Sequence, residues 1–374
     1  MRSALSLLWL PLLACQSEPE PGGFEAFAPP PAVIVPPACA PGSAFELHGL
    51  AYADLQTAVD AATAGDTVVI CRGSHAIGDV RSWAAGITIA GETGDPADVH
   101  LSGDLLAFGA NPRPVGPGTT TTLSGVTLDD LEVTATLVGH FVAADLQFVG
   151  PNASLFVESQ TNYVLRTSFT GGDGGPRLDV GPSAREAMVA LDDVTFEHNS
   201  TDQFLVWVHN LDLTPAHGRL RMRDVSVLDN ISVSANPYGL IQADDDVVLE
   251  VEGGSALRNT NPAGSILSVF DLRGPSRIRD WTVADNIVGY PALSLVGSRD
   301  VVQLSDSAFL RNSWPNAPLG LGSALVVEGP TARLSNVDLG TGADTNLPAD
   351  IAACGVDYGV IASAVIRYPS YCPR

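Results

Sequence analysis

The sequence has no lysine: all 19 basic residues are arginine, against 42 acidic ones. Lysine is therefore unavailable as a Schiff-base or proton-abstracting residue. The net charge of −23 argues against nucleic acid as a partner, because binding it rests on cations that neutralise phosphates. An acidic polysaccharide would be repelled too, unless a divalent cation bridged the two. No Gly-x-Ser-x-Gly elbow is present. The seven histidines never fall at i, i+2 or i, i+4, so no metal motif forms from them. The leading apolar run, Ala4 to Ala14, is too short to span a bilayer. Aromatics are only 6%, whereas glycine and proline number 37 and 27, which suits many short strands joined by tight turns.

What is present is a repeat. Asp193-Val194-Thr195-Phe196-Glu197-His198-Asn199 is the first clear block, and Asp224 to Asn230, Asp280 to Asn286 and Asp306 to Asn312 follow it. Gly253 to Asn259 is a degenerate copy, and Asn336-Val337-Asp338-Leu339 begins a last one. The closing residues Asn199, Asn230, Asn259, Asn286 and Asn312 are 31, 29, 27 and 26 residues apart. That period, with β-branched residues between Gly, Pro and Asn, marks a β-solenoid. The five asparagines are expected to form an internal ladder. A second strand accompanies each block, at Gly264 to Val269, Ala292 to Leu295 and Gly322 to Val327. Its register is read with Leu240, Leu267, Leu293 and Leu325 inward. The outward positions are then Ile241, Ala243, Ser268, Phe270, Ser294, Val296, Val326 and Glu328, of which only Glu328 ionises. In this register Trp207 points inward, and Trp281 faces out.

Upstream, Asp54 caps a helix whose apolar face is Leu55, Ala58, Val59 and Ala62, with Gly65 as its left-handed stop. Asp66 to Cys71 is a strand, Arg72 to His75 a turn, and Ile87 to Gly91 another strand. Asn111 to Thr122 and Gly171 to Pro182 read as loops. The run Leu55 to Ala62, then Gly65-Asp66-Thr67-Val68, then Ile87 to Gly91, resembles the N-terminal cap and first coil of pectin-lyase-like proteins. With the Asn-ending blocks the resemblance covers about residues 45–350. It implies a right-handed parallel β-helix, all-β, of about ten coils with a short capping helix. At roughly 4.8 Å per coil that is a rod of about 45–50 Å. It implies little about activity, because the fold hosts lyases, hydrolases, epimerases and adhesins.

Met1 to Cys15 reads as a signal segment. Leu12-Leu13-Ala14-Cys15 resembles the lipobox of bacterial lipoproteins, in which the Cys is lipidated and becomes the new N-terminus; Gln16 and Ser17 favour the outer membrane. Residues 16–37 are a Pro-rich linker, able to reach about 70 Å as polyproline II. Residues 38–374 are the folded domain, with caps at 45–75 and about 345–374. Four cysteines remain, Cys39, Cys71, Cys354 and Cys372. Their even number in an exported chain predicts two disulfides, and proximity favours Cys39–Cys71 and Cys354–Cys372.

Two clusters could carry chemistry. Asp244, Asp245 and Asp246 match the acid–base carboxylates of hydrolases of this fold, but Asn-Thr-Asp and Gly-His-Gly partners are missing. The bland alternative is a solvated turn, able at most to bind Ca²⁺. Arg273, Arg277 and Arg279 form the densest basic stretch, one residue short of a pectate-lyase arginine motif, and read as a turn. The expectation is an outer-membrane lipoprotein, a non-catalytic rod that serves as scaffold or binds a glycan or surface protein, without a cofactor. The competing expectation is a polysaccharide lyase or glycoside hydrolase, with Ca²⁺ possible in that case alone.

Overall fold

The computed structural model describes residues 32–84, 86–109, 119–136, 139–181, 188–209, 218–235, 238–244, 247–272, 274–296, 301–316, 323–328, 331–340, 342–347 and 351–354. Cys15, Asp245, Asp246, Arg273 and Cys372 lie outside them, as does most of the Asn111–Thr122 stretch. The described chain is nearly all β. Its strands fall into sheets of nineteen, eleven and four strands, hydrogen-bonded almost throughout in parallel. The chain passes from the first sheet, through the short third sheet in later passes, to the second sheet and back. Inward side chains of all three sheets merge into one apolar core.

The Asp-to-Asn block has a physical cause. Its opening residue bends the first sheet in the left-handed conformation: φ is 56° at Asp193, 53° at Asp224, 54° at Asp280 and 50° at Asp306, with Gly253 and Asn336 at the equivalent places. Asp, Asn and Gly tolerate that conformation best. A second left-handed column precedes the asparagines, at His198, Asp229, Arg258, Asp285 and Arg311. Arginine is a poor choice there, and the neighbouring pass compensates: Arg258 pairs bidentately with Asp229, and Arg311 with Asp285. Arg166 and Asp145 repeat the device in the first column.

The asparagines are buried. From Asn230 on, each Oδ1 accepts from the backbone N–H and the Nδ2 of the previous asparagine, at 3.0 and 2.9 Å for Asn199 on Asn230, while the Asn199 Oδ1 takes the Gly172 amide. Each Nδ2 also donates to a carbonyl on the pass before, for example Asn259 to Val227 at 2.7 Å. A sixth residue, Asn346, closes the ladder on Asn312. It stands ten residues after Asn336, whereas Asn312 stands six after Asp306, which is why spacing alone missed it.

Several expectations need correction. The helix is Leu55–Ala61, N-capped by Asp54, but it stops at an extended Ala62; Gly65, at φ 92°, serves the next turn instead. Gly73–Ala76 is a strand, not a turn. Thr120–Asp129 begins inside the first expected loop, and Leu178–Val180 is a strand inside the second. Ser276–Arg279 is also a strand. The second sheet aligns Ile241, not Leu240, with Leu267, Leu293 and Leu325. Ile241 and Ala243 are therefore inward, and Gln242 is outward. A one-residue slip inverts every side chain, so Trp207 turns outward as well. Trp281 is 2% exposed and meets Phe309 edge-on. Cys39 and Cys71 form a disulfide, while Cys354 ends the strand Ile351–Cys354.

Candidate functional site

The slip changes which side chains the second sheet turns away from the core. Its central outward row runs Thr134, Phe156, Asp179, Trp207, Gln242, Ser268 and Ser294 on successive strands. Two residues further along the chain, His209 and Asp244 stand side by side, each amide donating to the pass before. The expected near-absence of ionisable groups on this face is overturned: Asp179, His209 and Asp244 converge there.

The cluster is held from every side. His209 Nε2 and Asp179 Oδ1 are 2.8 Å apart, and both side chains are only 16% exposed. Trp207 Nε1 donates to Asp244 Oδ2 at 3.0 Å, and Gln242 Nε2 donates to Asp244 Oδ1 at 2.5 Å. The Gly239 amide donates to Gln242 Oε1 and fixes that carboxamide, which is fully buried. The Trp207 ring stacks between Phe204, at 5.2 Å, and His209, at 4.1 Å. Tyr238 packs on Phe204 at 5.0 Å and stays 39% exposed. Phe204, Trp207 and His209 thus form one stack of rings, with Asp179 bonded to His209 and Asp244 bonded to Trp207.

The chemistry of this arrangement suits binding better than cleavage. Asp179 stands opposite Gln242 two strands away, and Asp244 lies two residues beyond Gln242, so the Asp179 and Asp244 backbones are about 12 Å apart. A retaining glycosidase needs carboxyl groups about 5–5.5 Å apart. Each carboxylate is also already committed, Asp179 to His209 and Asp244 to Trp207 and Gln242. Each carboxylate keeps acceptor sites beyond those bonds, so the pair can still accept from a hydroxyl-rich ligand, and two carboxylates repel anionic ones.

Of the residues singled out in the sequence, Asp244 belongs to this site. Arg277 and Arg279 do not: they stand on the outward face of the first sheet and pair with Glu250 and Glu252 on the adjacent strand. Arg279 holds the Glu252 carboxyl below its ordinary range. Sequence reasoning missed Asp179, His209 and Gln242. Only the register could have exposed them, since no short motif links residues so far apart. Among the described residues, Glu197, His198 and Asp229 also gather at a surface, but Asp229 is taken by Arg258. Comparison with protein-family models, with curated proteins and with solved structures gives no match.

Proposed function

We propose that the chain is a lipid-anchored rod that binds a neutral glycan through the Phe204–Trp207–His209–Tyr238 cluster and its carboxylates. The rod is read as a right-handed parallel β-helix of about ten coils. The eleven-stranded parallel order supports that coil number, and parallel crossovers are right-handed in about 98% of cases. The Leu12-Leu13-Ala14-Cys15 segment supports attachment by lipid at Cys15, on the outer membrane. The observation that carries the binding reading is the Trp207 ring, stacked on two sides and hydrogen-bonded to Asp244, on the outward face of a sheet.

The test uses the chain from Gln16 to Arg374, free of lipid and with its disulfides formed. It is passed over immobilised neutral and acidic polysaccharides, with and without Ca²⁺, and both retention and chain cleavage are scored. Retention on a neutral polymer is expected, and Trp207→Ala should lower affinity by at least tenfold, about 1.4 kcal/mol. Cleavage of any polymer would replace the binding reading with the enzymatic one. Retention on an acidic polymer only with Ca²⁺ would also sink it.

A further inference from the structure

The outward face of the first sheet has two halves. On the strands His140–Val149, Thr161–Thr170 and Met188–Glu197, the outward residues Val142, Ala144, Tyr163, Leu165 and Ala190 form an apolar cluster that is separate from the core and buried. Burial pushes the Tyr163 phenol up. On the next strands, Gly218–Arg223, Val247–Glu252 and Ser276–Arg279, the outward positions carry Arg219, Arg221, Arg223, Arg277 and Arg279, with Glu250 and Glu252 between them. Counting Asp192, which pairs with Arg223, five arginines and three acids stand together there among the described residues, in a chain of net charge −23.

The segment before the domain already runs along this face. The disulfide to Cys71 pins Cys39, whose amide donates to Glu92 Oε1 at 3.1 Å; Glu92 Oε2 takes the Arg72 amide at 2.9 Å. Pro36, Pro37 and Ala38 line a cleft with Thr67 and Val69, which face outward on the strand Thr67–Ile70. Val35 lies against Gly94. Val33 packs on the Tyr163 cluster. Five residues extend at most about 18 Å. The three to four strand spacings from Thr67–Ile70 to the Tyr163 cluster come to about 14–19 Å. Residues 33–38 therefore travel almost straight across the strands.

Continuing that path upstream gives a match in both chemistry and length. Pro29, Pro30 and Pro31 come next, then Phe27, Glu25 and Phe24, then Glu20 and Glu18. No basic residue lies between Gln16 and Ala38. Six residues of polyproline II, from Val33 back to Phe27, cover about 19 Å, or about four strand spacings. On such a path the prolines would come over the apolar half and Glu25 over the arginine half. Polyproline segments dock on aromatic-lined surfaces without losing internal hydrogen bonds. An arginine has five N–H donors, so a carboxylate can join one that is already paired.

We propose that residues 24–33 dock lengthwise on the outer face of the first sheet, Pro29–Pro31 on Tyr163, Leu165 and Ala190, and Glu25 among the arginines of Gly218–Arg223 and Ser276–Arg279. The tether is then a strap, not a free spacer. It leaves the rod at mid-length and holds its flank close to whatever anchors Cys15. This inference is independent of the glycan reading, because it concerns a different sheet.

Glu25–Ala26 offers a readable bond, since Glu18 and Glu20 are each followed by proline. The Gln16–Arg374 chain is treated with a glutamate-specific protease, and the Glu25–Ala26 cut is timed by mass spectrometry. A free peptide of residues 16–38 is the reference. Docking predicts a cut at least tenfold slower in the chain than in the peptide. Phe27→Ser and Pro30→Gly, which leave the folded body untouched, should restore most of the peptide rate, and so should Arg221→Glu. A rate equal to the peptide's overturns the proposal. Protection that fades on dilution also overturns it, because the occupant would then be a second chain's tether.

Discussion

Between Thr120 and Glu197 the first sheet is made of four unbroken ten-residue strands; from Gly218 onward each pass is split in two, as in Gly218–Arg223 and Ser226–Leu228. The same inward column changes as well. Phe148, Phe169 and Phe196 stack face to face, at 4.5 and 4.9 Å, in the first region. In the second the column continues as Val227, Ala256 and Val283. The asparagine amides bond to the carbonyls of this same column, from Phe169 to Phe309. Ring stacking holds one region in register, and a buried amide ladder holds the other. The two solutions differ in tolerance. Rings lose contact area gradually, while a ladder loses whole hydrogen bonds and leaves buried groups unpaired.

The sharpest way to break that comparison is a pair of substitutions. Asn259→Ala removes the acceptor of the Asn230 amide and Nδ2, and takes one donor from the Val227 carbonyl. Unpaired buried groups cost about 1–3 kcal/mol each, so a loss of about 3 kcal/mol or more is expected. Phe169→Leu keeps an apolar group in the stack and should cost about 1–2 kcal/mol. Urea denaturation midpoints at constant m decide between them. Equal losses would show that the ladder is no more demanding than the stack.

This difference also explains what could be read from the sequence. The ladder region is legible because only Asn serves its buried position and only Asp, Asn or Gly occupies the first of its two bends, so identities recur. The stacked region can use Val126, Leu146, Thr167 or Val194 almost interchangeably beside its rings, so outside the Phe column its pattern is loose. The helix cap was legible from Asp54 and its apolar spacing. The candidate site was not, because Asp179, Trp207, His209 and Asp244 belong to three passes of different length and meet only through register. One residue of slip at Leu240 hid all of them.

A smaller effect tests the left-handed columns. Arg166, at φ 45°, sits where arginine costs roughly 1–2 kcal/mol of backbone strain. Its half-exposed pair with Asp145 offers about 0.2–1 kcal/mol in return. Arg166→Gly should therefore leave stability unchanged or raise it by up to about 1 kcal/mol at 25 °C, despite the lost ion pair. A clear drop in the thermal midpoint would mean that the pair, not the bend, sets the balance in the stacked region.

The smallest effect concerns acid. Thr57 holds the Asp54 carboxyl below its ordinary value through the helix cap, and Thr63 does the same for Asp66 at the following turn. In the ladder region Arg258 lowers Asp229, Arg311 lowers Asp285 and Arg279 lowers Glu252. A carboxylate depressed in the folded state stabilises it fully above the unfolded value, about 3.9 for Asp and 4.3 for Glu, and loses that contribution as pH falls through the folded value. Acid should therefore loosen the helix cap and the ladder region together, below about pH 4, while the ring-stacked strands between Thr120 and Glu197 hold. Backbone amide exchange near pH 3.5, compared with pH 6 after correction for intrinsic rates, measures this directly. If Phe148, Phe169 and Phe196 lose protection before Asn230 and Asn259 do, the two regions are not held by different forces in the way the geometry indicates.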